Sequence, residues 1–257
     1  MSNPRRAQRP VVLVTGASRR AGIASATALR LAEAGWDVAI THHMPYDTRM
    51  PWGADDGAVE ELLRSMAGHG ARAFAMAADF AQPDEPERVF DEVIQALGPV
   101  TALVLGHAES VNSTIMDTEL ESFDRHFAVN TRSNWLLIRE FARTFKGAFG
   151  TGRIIALTSD AVVGEIAYGA SKAALDRIVL AAAIEFAPLG ITANCVNPGP
   201  TDNGWLTEDL RTELTARTPL GRLGLPRDAA NLVAFLCSAE GGWINRQVLN
   251  SNGGFDS

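Results

Sequence analysis

Tyr168 and Lys172 stand four residues apart in Tyr168-Gly-Ala-Ser-Lys172, a segment that reads as the start of a helix. Positions i and i+4 share a helix face, so the ammonium can sit beside the phenol or beside whatever the phenol faces. A free tyrosine titrates near pH ~10 and exchanges protons poorly at neutral pH until its surroundings change that. A cation about 4 Å away is worth ~1 kcal/mol in water and ~4 kcal/mol at an effective dielectric of ~20. At ~1.4 kcal/mol per pKa unit, only the second figure brings a phenol near 7. The pair therefore makes chemical sense in a partly dry cleft. The pentapeptide alone fits equally well a helix with a buried tyrosine and a solvated lysine.

A second chemical feature lies near the start of the chain, in Thr15-Gly-Ala-Ser-Arg-Arg-Ala-Gly22. Glycines there let the backbone turn tightly and approach a pyrophosphate, which sits on the positive end of the following helix. A glycine-rich run alone is weak evidence. Here it joins an apolar run to a helical pattern at the head of an alternating chain, the context a dinucleotide site requires. An acid about 20 residues further on would bond the ribose 2′-hydroxyl of NAD and repel a 2′-phosphate. This chain offers Thr41-His42-His43 instead, and Arg19 and Arg20 can supply the fork that a phosphate prefers. The expected cofactor is NADPH/NADP+. Asp47 is the competing group, because a folded-back segment would bring it to the ribose.

Short apolar runs at 11–15, 37–40, 72–78, 102–105, 153–158, 191–196 and 247–250 read as strands. Helical spacing lies between them, at 21–34, 58–69, 86–97, 123–145, 170–188 and 227–238. Strands apolar on both faces and separated by helices belong to a parallel sheet covered on both sides. The expected fold is a single-domain α/β Rossmann fold over residues 1–257, doubly wound, with seven parallel strands. Two stretches interrupt the alternation. Residues 44–57, with Tyr46 and Trp52, are long for a βα connection and read as a flap. Residues 198–226, with Trp205 and a helical piece at 208–216, follow the sixth strand and read as a substrate lid.

The 257 residues are 46% hydrophobic, ample for one core. A net charge of −7 without a basic stripe argues against nucleic acid. Arg5, Arg6 and Arg9 read as part of a frayed tail over 1–9. Cys195 and Cys237 have no histidine or second thiol nearby, so no metal site is expected and a reducing compartment fits. Without a membrane-length apolar run or a signal core, the expectation is a cytoplasmic protein with no membrane partner.

The chain resembles the short-chain dehydrogenase/reductase family, of the kind that includes 3-oxoacyl-carrier-protein reductases. The resemblance runs from Val11 to Phe255. It rests on Thr15-Gly16…Gly22, Asp79, Asn130, Ser159, Tyr168…Lys172, Asn197-Pro198-Gly199 and Asn252-Gly253-Gly254. It implies that Tyr168 protonates the substrate oxygen as hydride arrives, and that Lys172 binds the nicotinamide ribose and lowers the tyrosine pKa. Ser159 would bond the carbonyl. Asn130 would hold a helix kink and a water leading to the lysine. Asp79 would contact the adenine edge, and Pro198-Gly199 would border the nicotinamide. The implied cofactor set also takes in Ser18, Ile23, His42, His43, Phe80, Gly106, His107, Ala108 and Thr201. Relatives pair through helices corresponding to 123–145 and 170–188 and through the last helix and strand, which implies a homotetramer or homodimer.

The chain also departs from the family pattern. Arg20 replaces a glycine of the loop. Gly106-His107-Ala108-Glu109 replaces Asn-Asn-Ala-Gly, with His107 and Glu109 either satisfying local backbone groups or, for Glu109, favouring a basic substrate. Only eight residues separate Ser159 from Tyr168, which puts the reach of Ser159 in question and makes Thr158 the substitute. The leading function is NADPH-dependent reduction of a ketone or 3-oxoacyl-type small-molecule carbonyl. The alternatives are alcohol oxidation with NAD(P) and a non-catalytic NADPH-binding sensor or scaffold.

Overall fold

The computed structural model describes residues 9–204 and 206–255. The tail residues 1–8, with Arg5 and Arg6, and Trp205 of the expected lid lie outside them. Seven parallel strands form one sheet in the order β3-β2-β1-β4-β5-β6-β7. They are β1 (Val11–Val14), β2 (Asp37–His42), β3 (Ala73–Ala77), β4 (Val100–Leu105), β5 (Gly152–Leu157), β6 (Ile191–Asn197) and β7 (Val248–Asn250). Every residue of β1 and β5 is buried, because helices cover both faces of the sheet.

Helices α1 (Ile23–Glu33), α3 (Ala58–Gly68) and α9 (Pro226–Cys237) cover one face. Ala24, Ala28 and Leu31 of α1 pack there with Val12 and Val14. Helices α4 (Glu85–Leu97), α6 (Ser133–Thr144) and α7 (Ile166–Glu185) cover the other, around Phe90, Phe141, Leu103 and Val179. The strand order reverses between β1 and β4, which opens a crevice at their carboxyl ends.

Two elements differ from the sequence reading. The flap is not a loop throughout: Met44–Arg49 forms α2, with Pro45 in its first turn, where its missing N–H costs nothing. The single helix expected over 123–145 is α5 (Leu120–His126), a π-helical stretch Phe127–Arg132 and then α6. Asn130 lies in that stretch with its side chain drawn into bonds outside the helix, a setting in which π-bulges form. Helix α8 (Glu208–Arg217) falls where the helical piece was expected, and Thr207 Oγ1 caps it by accepting from Leu210 N at 3.3 Å.

Candidate active site

A cleft of about 1200 Å³ fills the crevice between β1 and β4. Helix α1 opens from an extended Gly22 with no side-chain cap. Its orphan N–H groups and positive dipole end lie at this cleft, whose wall includes Gly22, Ile23 and Ala24. Gly16 has φ +84°, and a Cβ there would fall 2.6 Å from His107 Cα, so only glycine lets the loop lie against β4. The Arg19 guanidinium also lines the cleft and makes no hydrogen bond among the described residues. It lies 4.4 Å over the Trp52 ring and 3.8 Å from Asp47. An uncapped helix start, a close-approach glycine and a guanidinium with open donors fit a dinucleotide.

Arg20 is a correction. Its side chain turns outward to Asp55 and Glu61 and is absent from the cleft wall. The acids of the flap and α3 capture it, so the expected two-arginine fork reduces to Arg19. His42 and His43 do reach the cleft, as do Asp79 and Phe80 at the end of β3. Ser18 accepts from His43 N at 3.3 Å, and Asp79 lies 4.0 Å from His43 and 3.8 Å from Arg125. Gly106, His107 and Ala108 line the facing wall, and Pro198, Gly199 and Thr201 close the far end.

Tyr168 sits in the first turn of α7, and Lys172 follows one turn later on the same face. Ser159 and Tyr168 line the same cleft despite the short connection, and Ser159 acts to lower the phenol's pKa. Gly169 makes that possible: a Cβ there would meet the Ala161 carbonyl at 2.1 Å, so the shortened loop packs directly on the helix. Ser159 Oγ is further fixed by Ala161 N at 3.1 Å. Thr158 Oγ1, also in the wall, is buried without a partner.

The expected lowering of the Tyr168 pKa by Lys172 is a second correction. Burial pushes the phenol above the ordinary tyrosine value. Glu165, Tyr46 and Asp160 push the same way, and Ser159 opposes them. Lys172 is itself 2% exposed and gives its ammonium to Leu157 O at 2.9 Å. Burial brings its pKa down to about 8, partly offset by Asp176 and Cys195.

Asn130 does not touch the cleft. Its amide closes a two-bond ring with the Glu109 backbone, accepting from Glu109 N and donating to Glu109 O, each at 2.8 Å. It also donates to Ser171 Oγ at 2.9 Å, one residue before Lys172. The bulge of the π stretch thus joins the post-β4 segment to α7.

His107 stands inside the structure, between Thr15 Oγ1 (2.7 Å), Ser133 Oγ (2.9 Å) and Val129 O (3.1 Å), with its ring 4.2 Å from that of Phe80. Burial and Lys172 bring its pKa down to about 3, so it is a neutral spacer at pH 7. Glu109 is 3% exposed and binds Arg49 of α2 together with Arg125 of α5, the latter at 3.1 Å. Its charge is matched within the protein, which removes the footing for a basic substrate there.

Three groups in this wall, Arg49, Arg125 and Glu165, escaped the sequence reading, and Tyr46 entered it only as part of the flap. Arg49 and Arg125 carry no motif, and their role depends on the fold of α2 and α5. Tyr46 donates to Ser110 O at 3.3 Å. Glu165, just before α7, lies half-buried with its pKa raised by that burial. The far wall is apolar, with Val111, Val162, Leu206, Leu214 and Phe255. Among the described residues no helix is long and apolar enough to cross a membrane, and no group of side chains could hold a metal ion.

Residues 16–256 match the family model described as enoyl-(acyl carrier protein) reductase. The chain is 38% identical over 253 residues to the uncharacterized oxidoreductase YjdA of Bacillus subtilis, covering 96% of this chain and 97% of that protein. It is 38% identical over 258 residues to an NADPH-dependent aldehyde reductase-like chloroplastic protein of Arabidopsis thaliana, covering 95% and 93%. Among solved structures, a short chain dehydrogenase of Burkholderia cenocepacia in complex with NADP superposes with a TM-score of 0.86 at 31% identity, covering 98% and 100%. With this fold and this arrangement of Ser159, Tyr168 and Lys172, the chain belongs to the short-chain dehydrogenase/reductase family of oxidoreductases.

Proposed function

We propose that this protein reduces a ketone or aldehyde carbonyl to an alcohol with NADPH. The observation that carries the reading is that Ser159, Tyr168 and a buried Lys172 line one dinucleotide-sized cleft. The bound nicotinamide supplies the hydride. Two hydroxyls in one cleft beside a cation suit an oxygen that gains charge during reduction. This favours a C=O over the C=C named in the description of the matching family model.

Tyr168 gives the proton. Its pKa lies above the ordinary tyrosine value, so the phenol stays protonated through the working range and is ready to donate. The oxidising direction needs a phenolate at the start, and burial opposes that. Lys172, charged below about pH 8, places a cation where the departing proton leaves negative charge. Asn130 fixes the helix from which Lys172 projects, through Ser171. NADPH is favoured by Arg19 at the cleft, by the lack of an acid at the end of β2, and by the NADPH or NADP named for relatives.

The expected partner is a small carbonyl compound whose body packs on the apolar far wall. A homotetramer and a cytoplasmic setting remain the family-based expectation. The test is the loss of NADPH absorbance over a panel of aldehydes, ketones and 3-oxoacyl thioesters, repeated with NADH. NADPH-specific turnover of a carbonyl supports the reading. NADPH binding with no turnover across the panel overturns it in favour of a sensor or scaffold.

A further inference from the structure

The loop–helix insertion between β2 and α3 carries α2 and then Trp52, and its side chains reach both walls of the cleft. Tyr46 and Arg49 hold the post-β4 wall, at Ser110 and Glu109. Asp47 and Trp52 hold the phosphate-loop wall, at Arg19. With Arg20 committed to Asp55 and Glu61, Arg19 is left to face the cleft from this loop.

A free arginine side chain carries rotamer entropy that ligand binding must overcome. Here the guanidinium lies on the Trp52 ring. The indole is itself fixed, because Trp52 Nε1 donates to Asp47 Oδ1 at 3.0 Å. Asp47 is buried in α2, and its 3.8 Å separation from Arg19 Nε is too long for a hydrogen bond. The arginine is thus oriented by stacking while its N–H edge stays open to a ligand. A stacked, planar guanidinium is the group that recognises a phosphate by a fork of parallel bonds.

We propose that Trp52 and Asp47 are positioning residues that hold Arg19 as a ready-made receptor for the 2′-phosphate, so that residues 47–52 set the preference for NADPH over NADH. This rests on the NADP(H) reading above. Asp47 contributes by holding the indole, and its charge works against a phosphate. Discrimination therefore comes from oriented donors more than from net charge.

The test is calorimetric titration of the full-length protein with NADPH, NADH, 2′,5′-ADP and 5′-AMP. Trp52→Ala frees the guanidinium, and NADPH and 2′,5′-ADP should bind about tenfold more weakly while NADH and 5′-AMP are unchanged. The unchanged ligands show that the variant is folded. Trp52→Phe keeps a ring face and should restore most of the loss. Asp47→Asn keeps an acceptor for the indole and removes a like charge, so NADPH should bind at least as tightly. If Trp52→Ala keeps the wild-type preference, or weakens all four ligands equally, the inference is overturned. If the wild-type protein itself shows no preference for NADPH, the underlying cofactor reading fails instead.

Discussion

Lys172 donates its ammonium to the Leu157 carbonyl at 2.9 Å and stands 5.7 Å from the centre of the Tyr168 ring. The cation is therefore tied to the end of β5, and the phenol's proton is governed by burial and by Ser159. The lysine acts at the site as a charge with a pKa of about 8.

That value sets the pH dependence of carbonyl reduction. Tyr168 remains protonated from acid to mildly alkaline pH, so it produces no fall in this range. The kcat/KM for reduction should stay level below about pH 7.5 and decline as Lys172 loses its proton near pH 8. Lys172→Met should lower the plateau and abolish that limb. Folding follows the opposite slope. Burial depresses the lysine from 10.5 to about 8, so the unfolded chain binds more protons between those values. The lysine's contribution to stability therefore rises with pH through that window, measurable as urea midpoints in wild type and Lys172→Met.

Tyr168→Phe removes the donor and keeps the ring. Turnover should fall by at least about 100-fold, the scale of general acid catalysis, while the NADPH dissociation constant stays unchanged. Stopped-flow hydride transfer and fluorescence titration separate the two. Substantial residual reduction would move the acid elsewhere.

Gly169 is the hidden requirement of the Ser159–Tyr168 pair. Gly169→Ala sets a methyl against the Ala161 carbonyl and must lift the loop that carries Ser159. Reduction should drop about 10- to 100-fold with cofactor affinity preserved, as in Ser159→Ala. Thr158→Val should cost far less, because Thr158 Oγ1 has no partner to lose. Equal losses at both positions would mean that the hydroxyls share the carbonyl.

The sheet was legible because its strands are apolar on both faces, and Tyr168, Lys172 and Gly16 because their chemistry depends on short-range spacing, whereas Ser159 came from the family resemblance. Arg20 misled because one partner, Asp55, lies in a connection whose path no periodicity describes, and that path decides where α3 presents the other, Glu61. Glu109 misled for the same reason, since its charge is matched by Arg49 from the flap and Arg125 from α5. The helix kink at Asn130 came from the resemblance and not from spacing: it takes the form of a π stretch whose Asn130 makes a pair of bonds to a backbone 21 residues away. The sign of the Tyr168 shift needed burial, which the pair's i,i+4 spacing does not contain.

Glu109→Gln should act on the flap. Its backbone bonds to Asn130 survive the change, so Lys172 stays placed. The carboxylate links to Arg49 and Arg125 weaken, and both arginines have water within reach to compensate. A stability loss of about 1–2 kcal/mol follows, with faster proteolytic cutting within 44–57. Preference among cationic, neutral and anionic carbonyl compounds should not move. A shift toward anionic substrates would show that the carboxylate meets the substrate after all.

His107 gives the fold an acid weakness. Its imidazole is held neutral between Thr15, Val129 and Ser133, with its pKa depressed from 6.5 to about 3 by burial first and Lys172 second. Below pH 6.5 the unfolded chain takes up a proton that the folded chain refuses until about pH 3. Stability is therefore full above 6.5 and falls as pH drops, by at most ~1.4 kcal/mol per unit from this residue. His107→Asn cannot take up that proton. Whatever it costs at pH 7, its stability should decline less steeply between pH 6.5 and 4.5, by about 2–3 kcal/mol over the interval. Urea denaturation of both proteins at the two pH values measures the difference. Parallel slopes would mean that the carboxylates alone carry the acid lability.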